Sequence, residues 1–235
     1  MNVRTILEEL KAKGNEGTKR VLLKHGVREP FFGVKVEDMK LIQKRVKKDH
    51  QLAKELYATG NADAMYLAGL IADENKMTKN DLNTWVKDAL SKNISAYTVP
   101  WIAAESKFGY ELGAEWIDSK KEHIATAGWA TLSSVASITP DDKLDIAGYK
   151  KLVSRVEKEI HQADNDVRSA MNNFIIAVGS FVPALTDAAI AAAKKIGVVM
   201  VDKGDTACKV PDAIIYINKV KDKGNLGKKK KMARC

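Results

Sequence analysis

The chain has 235 residues, 45% of them apolar and 29% charged, enough to bury a sizeable core without cross-links. No apolar run reaches membrane-spanning length and no signal-type leader opens the sequence, while two cysteines, Cys208 and Cys235, make no disulfide framework. The expected setting is therefore a reducing cytosol. The net charge of +9 is uneven: residues 1–60 hold 14 Lys/Arg against 8 Asp/Glu, residues 61–218 hold 17 against 21, and residues 219–235 hold 8 against 1. Two basic ends around a mildly acidic middle suit a polyanion partner.

Helical signals then follow one another. Residues 2–13 place Val3, Ile6, Leu7 and Leu10 at helical spacing and stop at Gly14. Residues 16–25 stop at Gly26, and the turn through Pro30 and Gly33 breaks the pattern. Residues 36–47 turn Val36, Met39, Leu41, Ile42 and Val46 inward and a row of lysines outward. Asn61 and Thr78 read as N-caps of helices over 62–72 and 79–92. Further helices are expected near 95–106, 108–118, 121–137, 144–160, 165–181, 186–197 and 211–221; only 198–201 hints at extended chain.

The stretches at 64–72 and 127–136 are small or apolar on every face, so each must lie between other helices. Exposed helices alternating with sandwiched ones at spacings of roughly 30 to 45 residues describe an all-α HEAT-like repeat solenoid, a superhelix of stacked helix pairs; a compact bundle is the alternative. We expect one helical domain over 1–223 and a flexible basic tail over 224–235. Monomer is the default state for such a fold.

Phe31-Phe32-Gly33-Val34-Lys35, followed by Asp38-Met39-Lys40, resembles the F-x-G-V-[KR] motif of bacterial DNA alkylation repair proteins of the AlkD kind, and the helical layout resembles that family almost throughout. The resemblance implies a C-shaped solenoid gripping duplex DNA on a basic concave face. It also implies hydrolysis of the N-glycosidic bond of N3- or N7-alkylated purines; separately, the chain carries no P-loop or dinucleotide fingerprint, so no cofactor is expected. In active members a carboxylate stabilises the developing oxocarbenium ion, aromatic rings stack on bases, and arginine clamps phosphate.

The residues for that chemistry differ here. Thr98-Val99 matches the core of the family's Trp-x-x-x-Asp motif, but Ala96 and Pro100 stand at its ends. Ala127 or Gly128 stands where the arginine is expected, and Ser180 where the later tryptophan is. The expectation is a DNA-binding member without the standard glycosylase centre. Trp101 and Glu105, four apart on one helix face, are the rival: a relocated centre with Glu105 as its carboxylate. A protein-interaction scaffold is the third reading. The residues expected to meet nucleic acid are Lys35, Tyr97, Trp101, Trp129, the pair Arg168 and Asn172, and in the tail Lys228, Lys229, Lys230, Lys231 and Arg234. The four histidines have no metal-ligand spacing.

Overall fold

A computed structural model describes residues 1–204, 206 and 208–234; Cys235 lies outside the described residues. Three helices begin the chain, α1 (Val3–Ala12), α2 (Glu16–Lys24) and α3 (Val36–Val46). Helix pairs follow: α4 (His50–Tyr57) with α5 (Ala62–Ile71), α6 (Lys79–Asp88) with α7 (Val99–Glu105), α8 (Gly109–Trp116) with α9 (Glu122–Ile138), α10 (Ile146–Glu159) with α11 (Asn165–Phe181), and α12 (Thr186–Ile196) with α13 (Ala213–Asp222). The second helices of the pairs form one row, α5 on α7, α7 on α9, α9 on α11 and α11 on α13. The architecture is the all-α HEAT-like stack that the alternation of exposed and sandwiched segments predicts. Residues 198–201 carry no strand among the described residues. No single described helix is long and apolar enough to cross a membrane.

Local chemistry explains the boundaries. Asn61 accepts hydrogen bonds from the Asp63 and Ala64 amides, and Thr78 forms a reciprocal capping box with Asp81. Every residue of α5 is buried, because neighbours cover it on all sides. Close approach needs small residues: a Cβ at Gly69 would strike Thr98, and one at Gly179 would strike Ile217 of α13. Ahead of α7 the chain makes a π-helical turn, Ile94–Thr98, in which the Val99 amide reaches back to the Ile94 carbonyl. Pro100 accounts for it: proline has no N–H for the Ala96 carbonyl and its ring would crowd that oxygen, so the wider turn relieves both.

The motif Phe31–Val34 has a structural task. The amides of Phe32, Gly33 and Val34 all donate to the carboxylate of buried Asp63, at 2.6, 3.0 and 3.4 Å. Gly33 takes a φ of +78°, and a Cβ there would meet the backbone of Asn15 and Lys19 at 2.7 Å, so only glycine fits. Burial raises the Asp63 pKa above the ordinary value; the three amides work against that rise.

The core forms two large clusters that meet around α7 to α9, the first reaching from α1 to Ala127 and the second from Ala104 to Ile217. Trp129 belongs to the second. It is 0% exposed and meets Phe174 edge-on at 5.1 Å, so the expectation that it touches nucleic acid is corrected: no base can reach its ring.

Residues 225–234, expected to be a flexible arm, are instead laid across the C-terminal ends of the second helices. The Gly227 amide donates to the Ser180 carbonyl and the Lys230 amide to the Ser137 carbonyl. Lys229 Nζ donates to the carbonyls of Ala136 and Phe181 at 2.9 and 2.7 Å. Arg234 is only 8% exposed and donates to the carbonyls of Gly69, Leu70 and Ala72. The physical reason is the helix dipole. The last carbonyls of α5, α9 and α11 lack intrahelical partners and carry partial negative charge, so cations dock there.

Candidate nucleic-acid interface

A groove of about 480 Å³ runs along the second-helix row. The inner faces of α9 and α11 give it a small, polar floor that includes Thr126, Ser133, Ser134 and Ser169. The chain between Ala96 and Trp101 gives it an aromatic shelf. Tyr97, held outward by the π turn, is 53% exposed. Trp101 lies half-buried beside it, ring centroids 5.9 Å apart, and is braced edge-on by Tyr66 at 5.6 Å. Lys92, Lys203 and Lys230 complete the wall, the last with its ammonium 5.3 Å from the Phe181 ring centroid. Past Lys92 and Tyr97 the groove opens into a wider mouth edged by Lys24, Arg28 and His123.

The electrostatics of this surface are positive with local compensation. Asp166 is the carboxylate that lines the groove among the described residues, and it is ion-paired with Lys92. Lys203 donates to Ser169 Oγ at 3.1 Å; burial first, then the Lys92 charge, pulls its ammonium below the usual lysine range. Burial also lowers His123, whose ring nitrogen lies 3.2 Å from the Lys87 carbonyl, so the ring favours its neutral form.

Of the residues between α12 and α13, those up to 204 reach back toward α2, with Gly204 against the Lys24 carbonyl. Two residues expected to contact phosphate are engaged on α11, in part by that loop. Arg168 donates to the carbonyls of Ile160, Ala163, His161 and Met200, and Asn172 donates to Pro211 O at 2.9 Å. Both are pins for backbone carbonyls, which corrects their expected role. The reason is local: Arg168 stands in the first turn of α11, close to the free carbonyls that end the preceding helix.

Glu105 is engaged as well. Its Oε1 accepts from the Ala233 and Arg234 amides at 2.7 and 3.0 Å, and its Oε2 accepts from Arg234 Nε at 2.7 Å. A carboxylate saturated by four donors of the tail, the second Arg234 nitrogen included, is not placed to activate water or face a sugar. Of the other expected residues, Lys35 stands outside the groove as N-cap of α3, 3.6 Å from Glu37. Arg234 and Lys229 point into the protein, whereas Lys228, Lys230 and Lys231 are exposed.

Sequence reasoning found Tyr97, Trp101 and Lys230 for the groove and missed Lys92, Lys203, Lys24 and Arg28. Nothing in their local spacing sets those four apart from other surface cations; they converge from three distant segments. The Ser133, Ser134 and Ser137 run on a sandwiched helix was the one readable sign that this helix shows a polar strip to a cleft.

Fold and groove together define an all-helical repeat protein with an aromatic and cationic groove along its second-helix row. The sequence profile of the family described as "DNA alkylation repair enzyme" matches residues 6–217, and the chain belongs to that family. It is 33% identical over 223 residues to the uncharacterized protein Lin0241 of Listeria innocua, covering 92% of this chain and 96% of the relative. It is also 33% identical over 221 residues to the uncharacterized protein Lmo0209 of Listeria monocytogenes, covering 92% and 95%. A solved structure described as "A new family of proteins related to the HEAT-like repeat DNA glycosylases with affinity for branched DNA structures" superposes with a TM-score of 0.91 at 35% identity, over all of both chains.

Proposed function

We propose that this protein binds DNA in the concave groove without carrying the standard glycosylase centre, and that branched DNA is its preferred form. The observation that carries the reading is the groove itself: an exposed Tyr97 and half-exposed Trp101 beside Lys92, Lys203 and Lys230. Aromatic faces accept an unstacked base, and lysines accept phosphates without reading sequence. The branched preference comes from the 35% identical structural relative.

Two features speak for binding without base excision. At the positions that should bear the family's tryptophan and aspartate, Ala96 lines the groove and Pro100 is buried. Among the described residues the carboxylate that lines the groove itself, Asp166, is ion-paired with Lys92. Without a free carboxylate against the sugar, a developing oxocarbenium ion gains no electrostatic stabilisation. The setting that goes with this role is the bacterial cytosol or nucleoid, and the protein acts as a monomer.

The test is binding to a linear duplex and to a four-way junction across a salt series, with release of N7-methylguanine and N3-methyladenine measured on alkylated DNA. Expected are a steep salt dependence, tighter binding to the junction and no base release. Base release would overturn the absence of a glycosylase centre; absence of binding would overturn the groove as a DNA site.

A further inference from the structure

The docked tail is a ridge with two sides. Lys230 and Ala233 line the groove, whereas Lys231, Met232 and Arg234 line a second cleft of about 700 Å³ on the other side. Its far wall is the end of α3, with Lys44, Lys47 and Lys48, and its floor includes Leu70 and Ile138. The cleft's carboxylates are already matched. Glu74 pairs with Lys48 at 2.6 Å and with Arg234 at 2.7 Å, and Glu105 pairs with Arg234. Lys44, Lys47 and Lys231 are exposed and have no ion-pair partner among the described residues. On the second cleft's side of the ridge Met232 is 53% exposed.

We propose that this second cleft holds a second duplex arm, so that a branched DNA straddles the ridge with one arm in the groove and another against Lys44, Lys47 and Lys231. The inference rests on the groove being a DNA site and adds where branch selectivity arises. A ridge between two cationic surfaces cannot be bridged by one straight, stiff duplex, because the duplex would have to bend sharply over it. At a branch point the axes diverge without that bending energy, and base pairs beside the crossing lose a stacking neighbour. Met232 offers a flexible apolar tip at that place, the type of side chain that fills an opened base step. An acidic protein is the weaker occupant. The planar fork that recognises carboxylates best belongs to arginine, and the cleft's Arg234 is committed to Glu74 and Glu105. What remains free is lysine, a point charge suited to phosphate.

The experiment uses the full chain with the double substitution Lys44→Glu and Lys47→Gly, the glycine chosen because Lys47 has a φ of +60°. Neither residue lines the groove. Binding to a four-way junction and to a linear duplex of equal length is recorded from low to moderate salt. Junction affinity should fall about tenfold or more and its log–log salt slope should flatten by about 2, with linear-duplex binding unchanged. Met232→Ala should lower junction affinity about threefold and leave the duplex alone. Equal losses on both DNAs, or no loss on the junction, would overturn the second-arm site; the latter result would leave an acidic protein as the cleft's occupant. A wild-type protein that binds duplex and junction equally would also overturn it while sparing the groove. A wild-type protein that binds neither would overturn the groove reading itself.

Discussion

The described part of the loop after α12, with Met200, Asp202 and Pro211, and the strap at 225–234 meet opposite ends of the same row of helices. The loop packs on the N-terminal ends of α9 and α11, where Asn165 exchanges hydrogen bonds with the Asp202 backbone in both directions and Glu122 accepts from the Asp166 amide. The strap packs on the C-terminal ends of α5, α9 and α11, where Lys229 and Arg234 meet free carbonyls. Glu122 and Asp166 stand in the first turns of α9 and α11, and the cations at that end are held by a carboxylate, as Lys92 is by Asp166, or by carbonyls outside the helix, as Arg168 is. The comparison teaches that a basic residue's fate depends on whether its side chain reaches unpaired backbone carbonyls, as Arg168, Lys229 and Arg234 do. Lys229 and Arg234 became structural, while Lys230 and Lys231, one or two steps along the same chain, stay available to a ligand.

The strongest way to break this comparison is Arg234→Ala. It strips three carbonyls and two carboxylates of a buried partner, and we expect a loss of about 3–5 kcal/mol in urea unfolding, with protease cleavage appearing in the strap. A loss below about 1 kcal/mol would mean that the strap is not held by its last arginine. Arg168→Ala should cost about 2 kcal/mol by removing the donor to four carbonyls at the other end of the row. Its effect on DNA affinity should come through the loop, so Arg168→Lys should not restore it. Tyr97→Ala sharpens the contrast from the groove side: thermal stability should hold within a degree or two, while DNA affinity drops by about 1–2 kcal/mol.

Smaller effects follow at the edges of the strap. Lys229→Met keeps the aliphatic stem and removes the charge at the ends of α9 and α11, for an expected loss of about 1 kcal/mol. Glu74 gives the strap a pH dependence of its own. Burial raises its pKa, but the hydrogen bond from Lys48 and the charges of Arg234 and Lys48 prevail and hold it below the ordinary 4.5. A depressed carboxyl contributes stability above its unfolded pKa and loses it as pH falls through the folded one. Wild type should therefore exceed Glu74→Gln in stability at pH 6, and the gap should close in the acid range below 4.5. A gap that stays constant down to strong acid would show that the Glu74 contacts contribute nothing electrostatically.

The sequence itself determined the all-helical stack. Its signals are local: Asn61 and Thr78 as caps, Gly14 and Gly26 as stops, and a continuous small or apolar run at 64–72 that no surface helix tolerates. It also set out the aromatic shelf, because Tyr97 and Trp101 are four residues apart on one short segment. What only the tertiary structure decided is the fate of the charges. Glu105 lies 129 positions from Arg234, and Lys92 lies 74 positions from Asp166; no periodicity in a single helix records such pairings. An ion pair depends on where two chain segments meet in space, whereas a helix depends on neighbours three and four residues away. For that reason the fold could be read along the chain, and the groove, the strap and the cleft beside it had to wait for the packing.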